Sequence, residues 1–220
     1  MPLPQSLRRL APTAIRDHPR LRALALAAGV IPPRSMHSEA EADALQRLAA
    51  HARVVVEIGV FEGSSAAVLA RSLPADGELH LVDPFADPSG WALRPDAHAD
   101  PRAARLAVRR ARGRHGPALK WHAVTSERAA RAWNGPPVDV VFVDGDHSPE
   151  GCRLDWDLWH PFVVPGGAVA FHDARLGRPG GTGGTGPTQV VDELFRGGEA
   201  PAGWAIAEEV DSLVVVRRAP

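Results

Sequence analysis

From Val54 onward, short β-branched runs alternate with segments of helical period. The runs fall at 54–58, 78–82, 119–123, 138–143 and 167–171, and the helical stretches lie near 64–73, 101–113, 126–133 and 149–160. Uninterrupted apolar runs separated by helices predict parallel strands whose two faces are both covered. The ending differs: "GWAIAEEVDSLVVVRR" holds two strand-like runs with only Asp211-Ser212 between them, a hairpin that adds antiparallel strand to the sheet. Ahead of Val54, Leu21, Leu24, Ala25 and Ala28 recur at helical spacing until Gly29 and Pro32-Pro33 stop them. A second helix starts near Ser38 and buries Leu45, Leu48 and Ala49. No linker follows it, so residues 1–50 read as a helical cap on a core at 51–220, within a single domain. The predicted fold is α/β, a doubly wound, mostly parallel sheet with a C-terminal antiparallel hairpin.

Composition narrows the partners. The chain has 220 residues, enough for one domain with a sizeable core. Its net charge of −1 gives no electrostatic reason to expect nucleic acid or an anionic membrane, and the arginines of 102–114 read as one solvated helix face. The single cysteine, Cys152, precludes an internal disulfide and fits a reducing compartment. No run approaches the roughly 20 apolar residues of a membrane helix, and Arg16-Asp17-His18 interrupts any signal-peptide core, so a cytoplasmic location is expected. One lysine among many arginines, alanines and prolines matches a GC-rich bacterial genome. The cap helices offer a surface for a second copy of the chain, an expected homo-oligomer contact.

The stretch "VVVEIGVFEGSS" leaves the first strand through Glu57-x-Gly59-x-x-x-Gly63, followed by Ser64. In a doubly wound sheet this first turn is where nucleotides bind, and glycines admit close approach of the backbone. It is neither Gly-x-Gly-x-x-Gly nor a Gly-Lys-Ser/Thr phosphate loop, and its leading acid repels phosphate. Asp83 ends the second strand where such folds place a ribose-binding carboxylate. An acid-led turn with a ribose acid suits a nucleoside carrying positive charge, such as S-adenosylmethionine. The turn resembles the first motif of the class I methyltransferases, "LHLVDPF" resembles their second, and a seven-stranded sheet with a terminal hairpin belongs to the same family. Glu57, Gly59, Gly63, Ser64, Asp83, Asp144 and Ser126 (in the turn after the third strand, at the adenine edge) are the implied cofactor-binding set.

The segment 138–173, "VDVVFVDGDHSPEGCRLDWDLWHPFVVPGGAVAFHD", brings Asp144, Asp146 and His147 to the end of one strand and His172-Asp173 to the end of the next. Parallel neighbours end on one edge, so these groups should converge, and a divalent cation would relieve their mutual repulsion. Mg²⁺ or Ca²⁺ suits oxygen ligands; a ligating His172 moves the choice toward Mn²⁺. Cys152, Trp156 and Trp159 share one helix face and read as core. The segment resembles the bacterial metal-dependent small-molecule O-methyltransferases, the macrocin, aminocoumarin-sugar and cephalosporin-hydroxylase-like branch, and more distantly catechol O-methyltransferase. That resemblance implies Asp144, His172 and Asp173 as metal ligands and Asp146 as general base, with His147 and His172 as further catalytic candidates. It also implies transfer of a methyl group to a hydroxyl of a sugar or an aromatic secondary metabolite. Residues 86–101, which include Trp91 and His98, and the glycine-rich 174–188 are connections long enough to close over that acceptor. A metal-independent methyltransferase with a His/Asp base, a metal-dependent hydrolase or oxygenase, and a non-catalytic binding module remain as alternatives.

Overall fold

The computed structural model describes residues 18–85, 99–198 and 200–220. Trp91 and His98 lie outside these. The elements run α1 (Pro19–Ala27), α2 (Glu39–Ala50), β1 (Val54–Ile58), α3 (Ser64–Ser72), β2 (Glu78–Val82), α4 (Pro101–Arg112), β3 (Ala118–His122), α5 (Ser126–Arg131), β4 (Val138–Val143), α6 (Pro149–Trp159), β5 (Val163–Phe171), α7 (Gly186–Val191), β6 (Trp204–Val210) and β7 (Leu213–Arg218). Their seven strands form one sheet in the order β3-β2-β1-β4-β5-β7-β6. Pairs from β3 through β5 are parallel, and β7 runs antiparallel to both β5 and β6. Chain order diverges to left and right between β1 and β4, which opens a crevice at their carboxyl ends.

Strand alternation builds two apolar layers. Val55 joins Leu45, Leu69, Leu79, Phe142 and Leu213 on one face. Val54, Val56 and Ile58 join Trp156, Trp159, Val169 and Phe171 on the other. All five β1 positions are buried, including Glu57, which the alternation places in the first layer. α2 begins with a capping box: the Ser38 hydroxyl accepts from Glu41 N–H, and the Glu41 carboxylate accepts from Ser38 N–H. α1 packs on α4 through Leu26, Ile31, Ala103 and Ala107.

Two details depart from the sequence reading. β5 starts at Val163 rather than 167, because Val163 pairs with Val138 before a bulge resets the register to Val140 opposite Ala168. The glycine-rich connection ends earlier than 188, since α7 begins at Gly186. The β6–β7 hairpin turns at Asp211-Ser212 as expected, with Val210 paired to Leu213 and Asp211 at φ 50°. No helix among the described residues is long and apolar enough to cross a membrane.

Candidate active site

The β1–α3 turn is shaped chiefly by contacts within the chain. Gly59 has φ +86°, and a Cβ there would stand 2.1 Å from the carbonyl oxygen of Asp144. Gly63, at φ +85°, would meet Val108 at 2.6 Å. Both glycines therefore let neighbouring segments of the protein close on the turn. Asp83 holds the turn from β2: one carboxylate oxygen accepts from Val60 N–H and Phe61 N–H, both at 2.9 Å, and the other from Phe85 N–H at 2.7 Å. Phe61 and Phe85 both sit at positive φ, conformations that Asp83 helps to fix. Ser64 Oγ lies 3.2 Å from His37 Nε2. Glu57 is fully buried; Ser65 Oγ donates to one carboxylate oxygen and the other has no partner. Burial holds the Glu57 carboxyl well above its usual range against the Ser65 hydrogen bond, and the charges of Asp144 and Asp83 push it further up.

The ends of β4 and β5 do converge. Asp144 Oδ1 lies 2.9 Å from His172 Nδ1 and 3.5 Å from His147 Nε2, while Asp173 Oδ2 lies 2.8 Å from His147 Nε2 and 3.7 Å from His172 Nδ1. The side chains of His172 and Asp173 are each 1% exposed, whereas Asp144 at 18% and His147 at 26% form the open side. Burial disfavours charge on the imidazoles, but the carboxylates outweigh it and push His147 up to about 10 and His172 up to about 11. The same histidines hold Asp144 well below the usual carboxylate range despite its burial. Asp173 is lowered too, against burial, by His147 and by Thr182.

Three residues missed in the sequence complete the surroundings. Thr182, from the glycine-rich connection, donates its N–H to one oxygen of Asp173 at 2.6 Å and its hydroxyl to the other. Thr188 Oγ1 donates to the Asp173 carbonyl at 2.8 Å. A Cβ on Gly184 of this connection would sit 3.1 Å from His147 Cβ, and one on Gly186, the first residue of α7, 2.3 Å from the His147 carbonyl oxygen. Glu41, from α2, places Oε2 3.6 Å from His172 Nε2.

Two predicted site residues point elsewhere. Asp146 Oδ1 accepts from Ser148 N–H at 2.8 Å, and a Cβ on Gly151 would meet its carboxylate at 2.2 Å. It braces Ser148, the residue that caps α6, and is not among the grouped ligand atoms. Ser126 Oγ accepts from the Trp159 indole at 2.8 Å and meets Asp155, whose carboxyl burial raises to about 7. Ser126, half-buried, thus ties α5 to α6. A cavity of about 160 Å³ lies away from the cluster, against β3, lined by His80, His122, Arg128 and Trp133 among others.

Ligand atoms of Asp144, His147 and His172 all lie within 4.8 Å of one another. Nδ1 of His172 and Nε2 of His147 are buried and each faces a carboxylate oxygen of the cluster, at 2.9 and 2.8 Å. Buried nitrogen and oxygen donors turned toward one point are an arrangement that a cation can occupy. The donor set fits a divalent cation, and its imidazoles favour Mn²⁺ or a later transition ion over Mg²⁺.

A family model described as a methyltransferase domain matches residues 56–174, the span from β1 through the end of β5. Solved structures share the fold at low identity. An O-methyltransferase from Bacillus cereus in complex with SAH has a TM-score of 0.57 at 17% identity, over 97% of this chain and 99% of that one. The O-methyltransferase TomG from Streptomyces achromogenes, involved in tomaymycin synthesis and solved with SAM, has 0.56 at 20%, over 99% and 100%. A Corynebacterium glutamicum protein has 0.62 at 18%, over 96% and 92%. With more than half its length under the family model, and with the cluster at the carboxyl edge of that same sheet, the chain belongs to the methyltransferase-domain family.

Proposed function

We propose that the protein transfers the methyl group of S-adenosylmethionine to a hydroxyl oxygen of a small molecule, with a divalent cation held by Asp144, His147 and His172 beside Asp173. The observation that carries the reading is the convergence of ligand atoms from Asp144, His147 and His172 within 4.8 Å of one another at the carboxyl edge of the sheet. Membership of the methyltransferase-domain family supports the reaction class, and structural neighbours solved with SAM or SAH support the methyl donor.

A cation held there would lower the pKa of a coordinated hydroxyl and would displace the protons of the cluster's imidazoles. The protein's own groups do the rest. The turn 59–63, pinned by Asp83, forms the wall next to Asp144. His147 is the most open member of the cluster and its Nε2 stands 2.8 Å from Asp173; the neighbouring carboxylates favour its protonated form, so it would accept the hydroxyl proton only once a bound cation has made its ring neutral. The glycine-rich connection, hydrogen-bonded to Asp173 through Thr182, shields the buried side of the cluster from water. Much of the rate gain expected of such a site comes from alignment of donor and acceptor.

The spacing of two separate ion pairs, His172–Asp144 at 2.9 Å and His147–Asp173 at 2.8 Å, favours a second reading in which a His147–Asp173 pair serves as a metal-free base. Titration calorimetry with S-adenosylmethionine, before and after dialysis against a chelator and with Mn²⁺ restored, separates the two. The proposal expects cofactor binding in all samples and turnover of a hydroxyl acceptor only with Mn²⁺. Full turnover after dialysis supports the metal-free base, and absence of cofactor binding overturns both.

A further inference from the structure

We propose that Glu41 is the positioning carboxylate of the cation site: it fixes the ring of His172 so that Nδ1 faces Asp144 and Nε2 faces the protein interior. The inference rests on the cation-assisted reading above and extends it to α2, outside the segment that matches the family model.

The two nitrogens of the His172 ring look in different directions. Nδ1 has Asp144 Oδ1 at 2.9 Å, and Nε2 has Glu41 Oε2 at 3.6 Å. Imidazoles that ligate metals usually present the second nitrogen to a carboxylate or carbonyl, which sets the tautomer and the ring plane. Glu41 is fully buried, an expensive place for a carboxylate, and it is heavily supported. Oε1 accepts from Ser212 N–H at 2.8 Å and from Ser212 Oγ at 2.6 Å; Oε2 accepts from Ser38 N–H at 2.8 Å. The glycine-rich connection wraps it so tightly that a Cβ on Gly180 would lie 2.0 Å from Oε2. A capping box needs only the bond to Ser38, which an exposed glutamate would provide. The remaining contacts pin the carboxylate between the Asp211-Ser212 turn and the His172 ring, with Oε2 in ion-pair reach of Nε2 and just beyond direct hydrogen-bond distance.

The test is Mn²⁺ binding by calorimetry on metal-free protein carrying Glu41→Gln, Ser38→Ala or Asp144→Asn, with S-adenosylmethionine titrated as a control. Glu41→Gln should weaken Mn²⁺ binding by about 10- to 100-fold and leave cofactor affinity as in the wild type. Ser38→Ala removes the hydroxyl of the capping box but leaves Glu41 against His172, so it should lower the melting temperature without a comparable loss of Mn²⁺ affinity. Glu41→Asp, which keeps the charge and withdraws it from the ring, gives the same readout if the glutamine variant does not fold. Wild-type Mn²⁺ affinity in the Glu41 variants alongside lost binding in Asp144→Asn overturns this inference alone. So does an equal loss in Ser38→Ala. A wild-type protein that binds no Mn²⁺ overturns the cation reading, and this one with it.

Discussion

Replacing Gly59 by alanine tests the claim that this glycine exists for the end of β4. Two costs add. The residue stands at φ +86°, and forcing a side chain into the left-handed region costs about 1–2 kcal/mol. The new Cβ would stand 2.1 Å from the Asp144 carbonyl oxygen and 2.8 Å from the Gly145 Cα. Backbone atoms have no rotamer in which to retreat, so the overlap adds roughly 1–3 kcal/mol of overpacking. The sum, about 2–5 kcal/mol, is a large part of the 5–15 kcal/mol that holds a typical domain. At roughly 2–4 °C per kcal/mol for a chain of this size, the melting temperature should fall by about 4–20 °C. Gly203→Ala is the matched control: φ is +78°, and a Cβ there meets nothing within 4 Å. It carries the backbone cost alone, about 1–2 kcal/mol. Differential scanning calorimetry of both variants isolates the clash. Because the clash falls on Asp144, Mn²⁺ affinity should drop in Gly59→Ala and hold in Gly203→Ala. Equal melting shifts in the two variants would refute the steric account, and unchanged Mn²⁺ affinity in Gly59→Ala would cut the link to the cluster.

Asp155 predicts a pH dependence. Its folded-state pKa of about 7 exceeds the ordinary 3.8, so the folded protein holds that proton more tightly and loses stability as pH rises from about 4 through 7. The stability of Asp155→Asn relative to wild type should rise between pH 5 and pH 8.5 by at most about 3 kcal/mol at 1.36 kcal/mol per unit; a pH-independent difference would count against it. Arg22 donates to both oxygens of buried Glu62, at 2.6 and 2.5 Å, and Arg22→Ala should cost about 3 kcal/mol in a denaturant melt, toward the low end because Arg34 N–H still reaches Glu62 at 2.7 Å. An Arg22→Met/Glu62→Leu pair should recover most of that loss, and failure to do so would show that the ion pair itself is needed. His147→Ala should lower kcat by about 10²–10⁴-fold, while Asp146→Asn leaves kcat near wild type. The opposite ranking would return the base to Asp146.

The strands were legible because a doubly covered sheet demands apolar residues at every position, as in Val54–Val56. The acids at the strand ends were legible for a related reason: Asp144 and Asp173 interrupt such runs where nothing structural requires a charge. Side-chain direction was not. Asp146 lies two residues from Asp144, and only the backbone path into α6 decides that its carboxylate turns to Ser148. Ser126 reads as a turn residue in the sequence, and its hydrogen bond with Trp159 depends on how α5 and α6 pack. Glu41 had a sufficient local explanation as the third residue of a capping box, which concealed its approach to His172. Thr182 lay in a run of glycines with no periodicity to place it.

The bond from Ser212 to Glu41 spans 171 residues. A growing polypeptide that has emitted α2 through Asp173 therefore possesses every ligand proposed for the cation yet lacks the donors that steady Glu41 beneath His172. The methyl-transfer machinery would be assembled late, when the closing hairpin docks, so partly synthesised chains would carry the family's sequence signature without a finished reaction centre.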